Sequence, residues 1–182
     1  MSALLRFEGV TLRRGGRLLF ENLGLLLGPG ERLQVTGPNG SGKSSLIRLA
    51  AGLLRHEAGR IERAPLALAD DAVALDRELP LRRALQFWNP GTDALETTGL
   101  DALAEVPVRL LSSGQLKRAT LARVAASGAA LWLLDEPLNA LDADGAAGLS
   151  KLIADHLGGG GAVLAASHQP LPGGWPTLEL GR

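Results

Sequence analysis

One short segment limits the folds open to this chain more than any other. Residues 37–44 read Gly-Pro-Asn-Gly-Ser-Gly-Lys-Ser and match the phosphate-binding pattern G-x-x-x-x-G-K-[ST] at every position. Residues 32–36 (RLQVT) have the composition of a buried strand, and residues 44–54 carry apolar side chains at helical spacing. A strand, a glycine-rich loop and a helix in this order predict an α/β phosphate-binding fold of the P-loop NTPase type.

The chemistry of phosphate binding explains the positions of this loop. Glycines let backbone N–H groups turn inward around an anion, and the N-terminus of the next helix adds partial positive charge. Lys43 is predicted to reach the β- and γ-phosphates, and the Ser44 hydroxyl to hold Mg²⁺. Only three of the 19 basic residues are lysine, so a lysine here suggests a need for a compact ammonium. The candidate nucleotide-binding residues are Gly37, Pro38, Asn39, Gly40, Ser41, Gly42, Lys43, Ser44 and Ser45.

Two adjacent carboxylates follow a second apolar segment. Residues 131–134 (LWLL) form a continuous apolar run, which is typical of a parallel strand buried on both faces, and Asp135 and Glu136 come next. Ligands of open α/β sheets bind at this end of the strands. Asp135 is therefore predicted to hold Mg²⁺, and Glu136 to orient and deprotonate an attacking water. A lone acidic pair is usually a solvated corner, but the P-loop favours the catalytic interpretation.

A third segment offers a second phosphate receptor. Residues 111–115 (LSSGQ) precede an amphipathic helix that we predict over residues 113–126. Ser112 or Ser113 suits the N-cap of that helix, which would be a structural role only. The same start also offers a hydroxyl, free backbone amides and a side-chain amide at a positive helix end, which favours anion binding. Both interpretations stay open.

The rest of the chain alternates between strand and helix patterns, which predicts an α/β domain with a mostly parallel core sheet. Two segments flanking a Gly-Gly turn, residues 4–7 and 17–20, predict a small antiparallel part at the N-terminus. Further strands are expected at residues 66–69, 162–166 and 177–180, helices at 79–88 and 143–157, and a polar loop at 89–98. We expect a single domain over residues 1–182, with a short helical insertion over residues 82–111.

Composition excludes several classes of function. The 182 residues carry 19 basic and 19 acidic side chains, so the formal net charge is zero and gives no electrostatic support for binding to nucleic acid. Cysteine is absent, which excludes disulfides, thiolate catalysis and cysteine–zinc sites. No stretch approaches the roughly 18 apolar residues of a membrane span, and the first residues lack a signal-peptide pattern. We therefore expect no direct membrane insertion, so that a membrane role would require a partner.

Taken together, the motifs resemble those of one family. The run LSSGQLKR is similar to the signature L-S-G-G-Q of ABC ATPase domains, with Ser113 in place of the first glycine. GPNGSGKS, LLDEP, residues 139–142 and Ser167-His168 stand in the order of that family. The resemblance implies an ATP-hydrolysing homodimer in which MgATP lies between the P-loop of one subunit and the signature of the other. About residues 82–125 would form the helical subdomain that carries the signature.

The same resemblance implies roles for further residues. It assigns Ser112, Ser113, Gly114 and Gln115 to the nucleotide of the other subunit, and Asp142 to the shared interface. His168 follows a predicted buried strand, as the switch histidine of the family does, and would contact the γ-phosphate. A histidine at a strand end is otherwise more often an ordinary loop residue.

Several short sequence segments resemble those of a narrower group, the ATP-binding subunits of the heme exporter for cytochrome c maturation. The most telling is VPVRLLS at residues 106–112, which leads into the signature, and the small overall size agrees. This likeness implies a peripheral protein on the cytoplasmic side of the bacterial inner membrane. Its partner would be an integral membrane transporter subunit, through which ATP hydrolysis drives heme export.

The chain departs from the ABC pattern at two places. The family carries a glutamine in the loop after the strand at residues 66–69, but this chain reads Asp70-Asp71-Ala72, with Ala72 at the glutamine position. Either Asp70 or Asp71 substitutes as a metal-facing acid, or coupling to the membrane partner is weakened. Many members also stack an aromatic side chain on adenine near the position of Arg14. An arginine could stack by a cation–π contact, or base specificity could be loose.

Other functions stay open at the level of sequence. A non-transport ABC protein acting on DNA or ribosomes would share the motifs, although the neutral charge opposes it. A weakly active nucleotide-binding regulator would explain the missing glutamine. A small-molecule kinase would explain the P-loop but would leave the signature and His168 without a use.

Overall fold

A computed structural model describes residues 3–72, 74–88 and 95–181. The strands are β1 (Leu5–Arg14), β2 (Arg17–Leu27), β3 (Arg32–Thr36), β4 (Ala58–Arg63), β5 (Leu66–Ala69), β6 (Leu131–Asp135), β7 (Ala162–Ala166) and β8 (Thr177–Glu179). The α-helices are α1 (Lys43–Ala50), α2 (Leu81–Gln86), α3 (Ser113–Ala126) and α4 (Ala143–Gly158). Short 3₁₀ turns lie at Glu96–Thr98, Asp101–Leu103 and Val108–Leu110.

The core is a five-stranded parallel sheet with the strand order β5-β6-β7-β3-β8. Every residue of β6 and β7 is buried, which explains their continuous apolar sequences, since helices cover both faces of such a sheet. The predicted strands β3, β5 and β7 are confirmed with the expected bounds. β6 extends one residue further than predicted, to Asp135, and β8 ends one residue earlier, at Glu179. The predicted α/β class with a mostly parallel sheet is therefore confirmed.

A second, antiparallel sheet has the order β2-β1-β4. The predicted antiparallel start is confirmed, although both strands run well beyond the expected residues. The third strand, β4, was missed because its sequence AGRIER offers one large apolar residue, Ile61, and most of its residues are exposed. The buried face of this sheet packs against the main core and includes Leu5, Phe7, Val10 and Leu12.

The helical segments partly match their predictions. α3 has the expected bounds, and α4 extends one residue past the expected end. α2 is shorter than the predicted helix over residues 79–88, because Pro80 adopts an extended conformation at its N-cap and the helix ends at Gln86. The predicted helix over residues 44–54 ends at Ala50, followed by a turn with Gly52 at positive φ. Most of the predicted polar loop, residues 89–94, lies outside the described residues.

The parallel sheet brings four chain segments to one edge. The phosphate loop follows β3, and the acidic pairs Asp70-Asp71 and Asp135-Glu136 follow the neighbouring strands β5 and β6. Ser167-His168 follows β7, which lies between β6 and β3. Since the carboxyl ends of parallel strands meet at the same edge, segments far apart in sequence converge there.

Candidate functional site

The phosphate loop has a backbone that only glycine can follow at key points. Gly37 has a φ of 134°, and a Cβ atom there would lie 2.3 Å from the carbonyl oxygen of Leu180. Gly42 caps α1 with a φ of 106°, in the left-handed region. The loop therefore turns tightly from β3 into α1 and leaves the first N–H groups of that helix available to an anion.

The lysine of the loop is positioned for a phosphate group. The Lys43 ammonium donates hydrogen bonds to the carbonyls of Gly37 at 2.8 Å and Pro38 at 3.2 Å, which leaves one of its three donors for a ligand. The Ser41 side chain has a different place. Its buried Oγ would lie 2.9 Å from a Cβ atom on Gly37, so it is enclosed within the loop and does not face a ligand.

A cavity of about 470 Å³ lies against the loop. Its lining comes from the first hairpin, the phosphate loop, the start of α1 and the residue after β6. The lining residues are Arg14, Leu19, Asn39, Gly40, Gly42, Lys43, Ser44, Ser45 and Glu136. Most of the predicted nucleotide-binding residues, and the predicted catalytic Glu136, therefore border a single space. The volume suits a small ligand, since typical small-molecule sites measure roughly 300–1,000 Å³.

The two predicted magnesium ligands are in contact. Ser44 Oγ donates to Asp135 Oδ1 at 3.0 Å, which joins the start of α1 to the end of β6. Burial, more than any other cause, raises the pKa of Asp135, and the nearby carboxylates of Glu136 and Asp71 add to the rise, while the Ser44 hydrogen bond opposes it. A divalent cation would relieve the cost of this buried charge. A hydroxyl and a carboxylate are the hard oxygen ligands that Mg²⁺ takes beside nucleotide phosphates, so the donor set fits the ion.

The predicted catalytic acid and histidine lie side by side. His168 Nδ1 lies 2.8 Å from Glu136 Oε2, and the backbone N–H of His168 donates to the same oxygen at 3.4 Å. Glu136 has a φ of 47°, which is rare outside glycine and marks backbone strain at a functional position. The carboxylate is therefore held in one orientation at the cavity.

A buried glutamine that the sequence analysis missed positions the loop that carries His168. Gln34 of β3 is 3% exposed, and its side-chain amide donates to the carbonyl of Gln169 at 2.7 Å. Its carbonyl oxygen accepts from the backbone N–H of Leu171 at 3.1 Å. These bonds fix the loop after β7 and hence His168. A glutamine inside an otherwise buried strand was the available signal, because buried polar groups are hydrogen-bonded.

The signature segment begins a helix as expected. Ser112 is the N-cap of α3, and it forms a reciprocal capping box with Gln115: Ser112 Oγ accepts from the Gln115 N–H, and Gln115 Oε1 accepts from the Ser112 N–H. The structural role that we left open is thus present. A Cβ atom on Gly114 would lie 2.8 Å from the carbonyl oxygen of Ala140, so the helix start packs against the segment 139–142 too closely for a side chain. Asp142 caps α4 through a bond from the Gly145 N–H at 2.8 Å.

None of the signature residues borders the nucleotide cavity of its own chain. The described residues that line the cavity come from other segments, and Ser112, Ser113, Gly114 and Gln115 are not among them. The structure therefore brings the P-loop, Asp135, Glu136 and His168 together and leaves the signature at a separate place. Such an arrangement is what a site completed by a second copy requires.

The structure also locates the two places where the sequence departs from the family pattern. Asp70 accepts a hydrogen bond from the Ala72 N–H at 3.1 Å, so its side chain closes its own turn. The charge of Asp71 is one of the smaller causes of the raised pKa of Asp135, after burial and Glu136, so Asp71 acts electrostatically on this predicted magnesium ligand. Arg14 lines the nucleotide cavity, and its guanidinium donates to Ser45 Oγ at 3.4 Å.

Comparisons with known proteins agree with the geometry. The family model for ABC transporters matches residues 20–139. A cytochrome c biogenesis ATP-binding export protein CcmA of Sphingopyxis alaskensis is 54% identical over 177 residues, covering 92% of this chain and 91% of the relative. The protein of the same name from Zymomonas mobilis is 48% identical, with 98% and 85% covered. A solved ATP-binding subunit of an ABC transporter superposes with a TM-score of 0.82 at 19% identity, over 91% of this chain and 79% of that one, which supports the fold.

The position of Arg14 leads to a prediction about the nucleotide base. If its guanidinium stacks on the base, Arg14→Ala should weaken binding of ATP and GTP about five- to thirtyfold, the loss of about 1–2 kcal/mol of cation–π attraction. Binding of inorganic tripolyphosphate should not change, because it has no base. Displacement of a fluorescent nucleotide measures all three affinities. A loss of tripolyphosphate binding equal to that of ATP would show that Arg14 acts on the phosphates instead.

Proposed function

The chain belongs to the ABC transporter family, and from this premise we propose that it hydrolyses MgATP as one half of a homodimer that drives heme export for cytochrome c biogenesis through an integral membrane subunit. The observation that carries the proposal is the pair of contacts beside Lys43. Ser44 touches Asp135, and Glu136 touches His168, at the edge of one cavity.

Within one subunit, each group has a chemical task. The Lys43 ammonium and the N-terminus of α1 stabilise negative charge on the phosphoryl group that is transferred. Glu136 orients a water molecule towards the γ-phosphorus and accepts its proton as the P–O bond to ADP breaks. His168 holds the Glu136 carboxylate through its Nδ1 contact, and we propose that it also contacts the γ-phosphate. Ser44 and Asp135 would hold Mg²⁺, which would supply positive charge to neutralise the phosphates.

A second copy of the chain is proposed to complete the site. The N-terminal tip of α3, residues Ser112–Gln115, offers the Ser113 hydroxyl and the backbone N–H groups of Ser113 and Gly114, which the capping box does not use, yet it does not border the cavity of its own subunit. In a head-to-tail pair with two-fold symmetry, each tip meets the phosphates bound by the partner. Asp142 lies next to this tip through the packing of Gly114 against Ala140 and is proposed to reach the shared interface.

Attachment to a membrane subunit is supported by an exposed apolar surface near α2. In the described part of the chain no helix is both long and apolar enough to cross a bilayer. Phe87 is 82% exposed, and with Trp88, Leu79 and Leu75 it borders a cavity of about 300 Å³. Exposed aromatic side chains of this kind are typical anchors of protein interfaces. We propose that this surface receives the membrane subunit, with the chain on the cytoplasmic side of the membrane.

Glu136→Gln tests the proposed ATPase cycle. Glutamine keeps the size of the side chain but cannot accept the proton, so hydrolysis should fall by a factor on the order of 10²–10⁴ while ATP still binds. The variant should therefore accumulate as an ATP-dependent dimer, measured by size-exclusion chromatography with light scattering. Glu105→Gln, at an exposed glutamate that is 81% accessible, is the matched control and should behave as wild type. A Glu136→Gln protein that hydrolyses ATP at the wild-type rate would contradict the assigned base.

Phe87→Ser tests the proposed docking surface. Removing a nearly fully exposed apolar side chain should leave ATP binding and dimerisation intact but should reduce co-purification of the membrane subunit from detergent-solubilised membranes. Leu53→Ser, at a leucine that is 61% exposed elsewhere on the surface, is the control. Interface anchors contribute roughly 2 kcal/mol or more, so about a thirtyfold weaker association is expected. Equal recovery of the membrane subunit with both variants would show that this surface is not the docking site.

A further inference from the structure

Lysine is rare in this chain, and its positions are informative. Of the 19 basic residues only Lys43, Lys117 and Lys151 are lysine. Lys43 belongs to the phosphate loop. Lys151 lies on the surface, where its ammonium, with 77% of the side chain exposed, pairs with Asp155 of the same helix. Lys117 differs from Lys151, because it is partly buried within α3 and close to the signature segment.

Lys117 bonds to the strand that carries the acidic pair. Its Nζ donates to the backbone carbonyl oxygen of Asp135 at 3.3 Å. This carbonyl is the last of β6 and immediately precedes Glu136. Further along α3, the buried Arg123 donates from its guanidinium to the carbonyl of Leu68 in the neighbouring strand β5. Two cations of α3 are therefore attached to the carboxyl edge of the sheet.

Four carboxylates lie within electrostatic range of the Lys117 ammonium. Asp70 and Asp71 follow β5, and Asp135 and Glu136 lie at the end of the adjacent strand β6. Burial lowers the pKa of Lys117, and attraction to these four groups opposes that effect, with Asp71 the strongest. Glu136 and Asp71 repel Asp135, while Arg48 attracts it from α1. Carboxylates gathered in this way push one another apart unless cations lie among them.

We propose that Lys117 is a positioning residue for ATP hydrolysis, whose ammonium anchors the end of β6 and offsets the repulsion between the acids after β5 and β6. The inference rests on the proposed use of Asp135 and Glu136 in this site. Lys117 is not among the described residues that line the cavity at the phosphate loop. It acts by fixing the backbone from which both acidic side chains extend.

A compact ammonium suits this role better than the guanidinium that the chain uses nearly everywhere else. An ammonium is a compact charge, so it can donate to the Asp135 carbonyl while it remains attracted to the nearby carboxylates. The link also joins two sites: Lys117 lies in the same helix as the Ser112–Gln115 tip, which is proposed to act on the nucleotide of the partner. The helix that closes on one nucleotide thus holds the catalytic strand of the other.

The kinetic test compares three variants of the purified chain. Lys117→Gln should lower kcat about 10- to 100-fold, the cost of a small displacement of catalytic groups, while the KM for ATP changes less than about threefold. Lys117→Arg restores the charge and a donor in a bulkier group, so it should recover part of kcat, well above the value of Lys117→Gln. Lys151→Gln removes a lysine charge from the surface and should leave both parameters at wild-type values. Equal kcat in Lys117→Gln and wild type, or no recovery with Lys117→Arg, would overturn the proposal.

A second measurement does not depend on turnover. In the absence of nucleotide and Mg²⁺, Lys117→Gln should lower the melting temperature by about 3 °C, and adding Asp71→Asn should recover much of this loss, because the excess negative charge is then reduced. Melting shifts that simply add would show that the two residues do not interact and would overturn the proposal. If wild type fails to hydrolyse ATP, the proposed function fails, whereas this double-mutant cycle still tests the role of Lys117.

Discussion

The hydrogen bond between Ser44 and Asp135 joins the two halves of the candidate site. Ser44 lies in the first turn of the helix that follows the phosphate loop, and Asp135 ends a fully buried strand, so a 3.0 Å contact connects residues that are far apart in sequence. It exists because β3 and β6 run in the same direction on either side of β7, which brings their carboxyl ends to one edge. The cavity, the Glu136–His168 pair and the position of Lys117 all follow from that arrangement.

The same edge concentrates groups that do not favour stability. Asp135 is buried and its pKa is raised, and Glu136 has a strained backbone. In a purely structural protein each of these features would be a defect, because buried charge and backbone strain cost free energy. Their meeting in one place is expected where a charged ligand compensates for them. The local structure thus supports a site for anionic phosphates and a cation.

Much of this could be predicted from sequence, and the exceptions have physical reasons. The strands β6 and β7 were predictable because apolar residues occupy nearly all of their positions. The P-loop was predictable because its glycines and lysine have fixed tasks. β4 was missed because an exposed strand with one large apolar residue has no such pattern. The contacts of Gln34 and Lys117 arise only when distant segments meet, although a glutamine in a buried strand and a rare lysine near the signature were signals in the sequence. The helix α2 is shorter than predicted because Pro80 has a restricted backbone, which outweighs the helical spacing of its neighbours.

The central claim is that one nucleotide is held by the P-loop of one subunit and the α3 tip of the other. It is tested most directly by mixing two inactive proteins, Lys43→Ala and Ser113→Glu, co-expressed in equal amounts. Ser113 is the first residue of α3, where a carboxylate suits the helix dipole but repels a triphosphate. Half of the dimers would then be mixed, and one of their two sites would be intact, so ATPase activity should return to about one quarter of the wild-type value. Activity that stays at background in the mixture, or full activity of Ser113→Glu alone, would contradict the account.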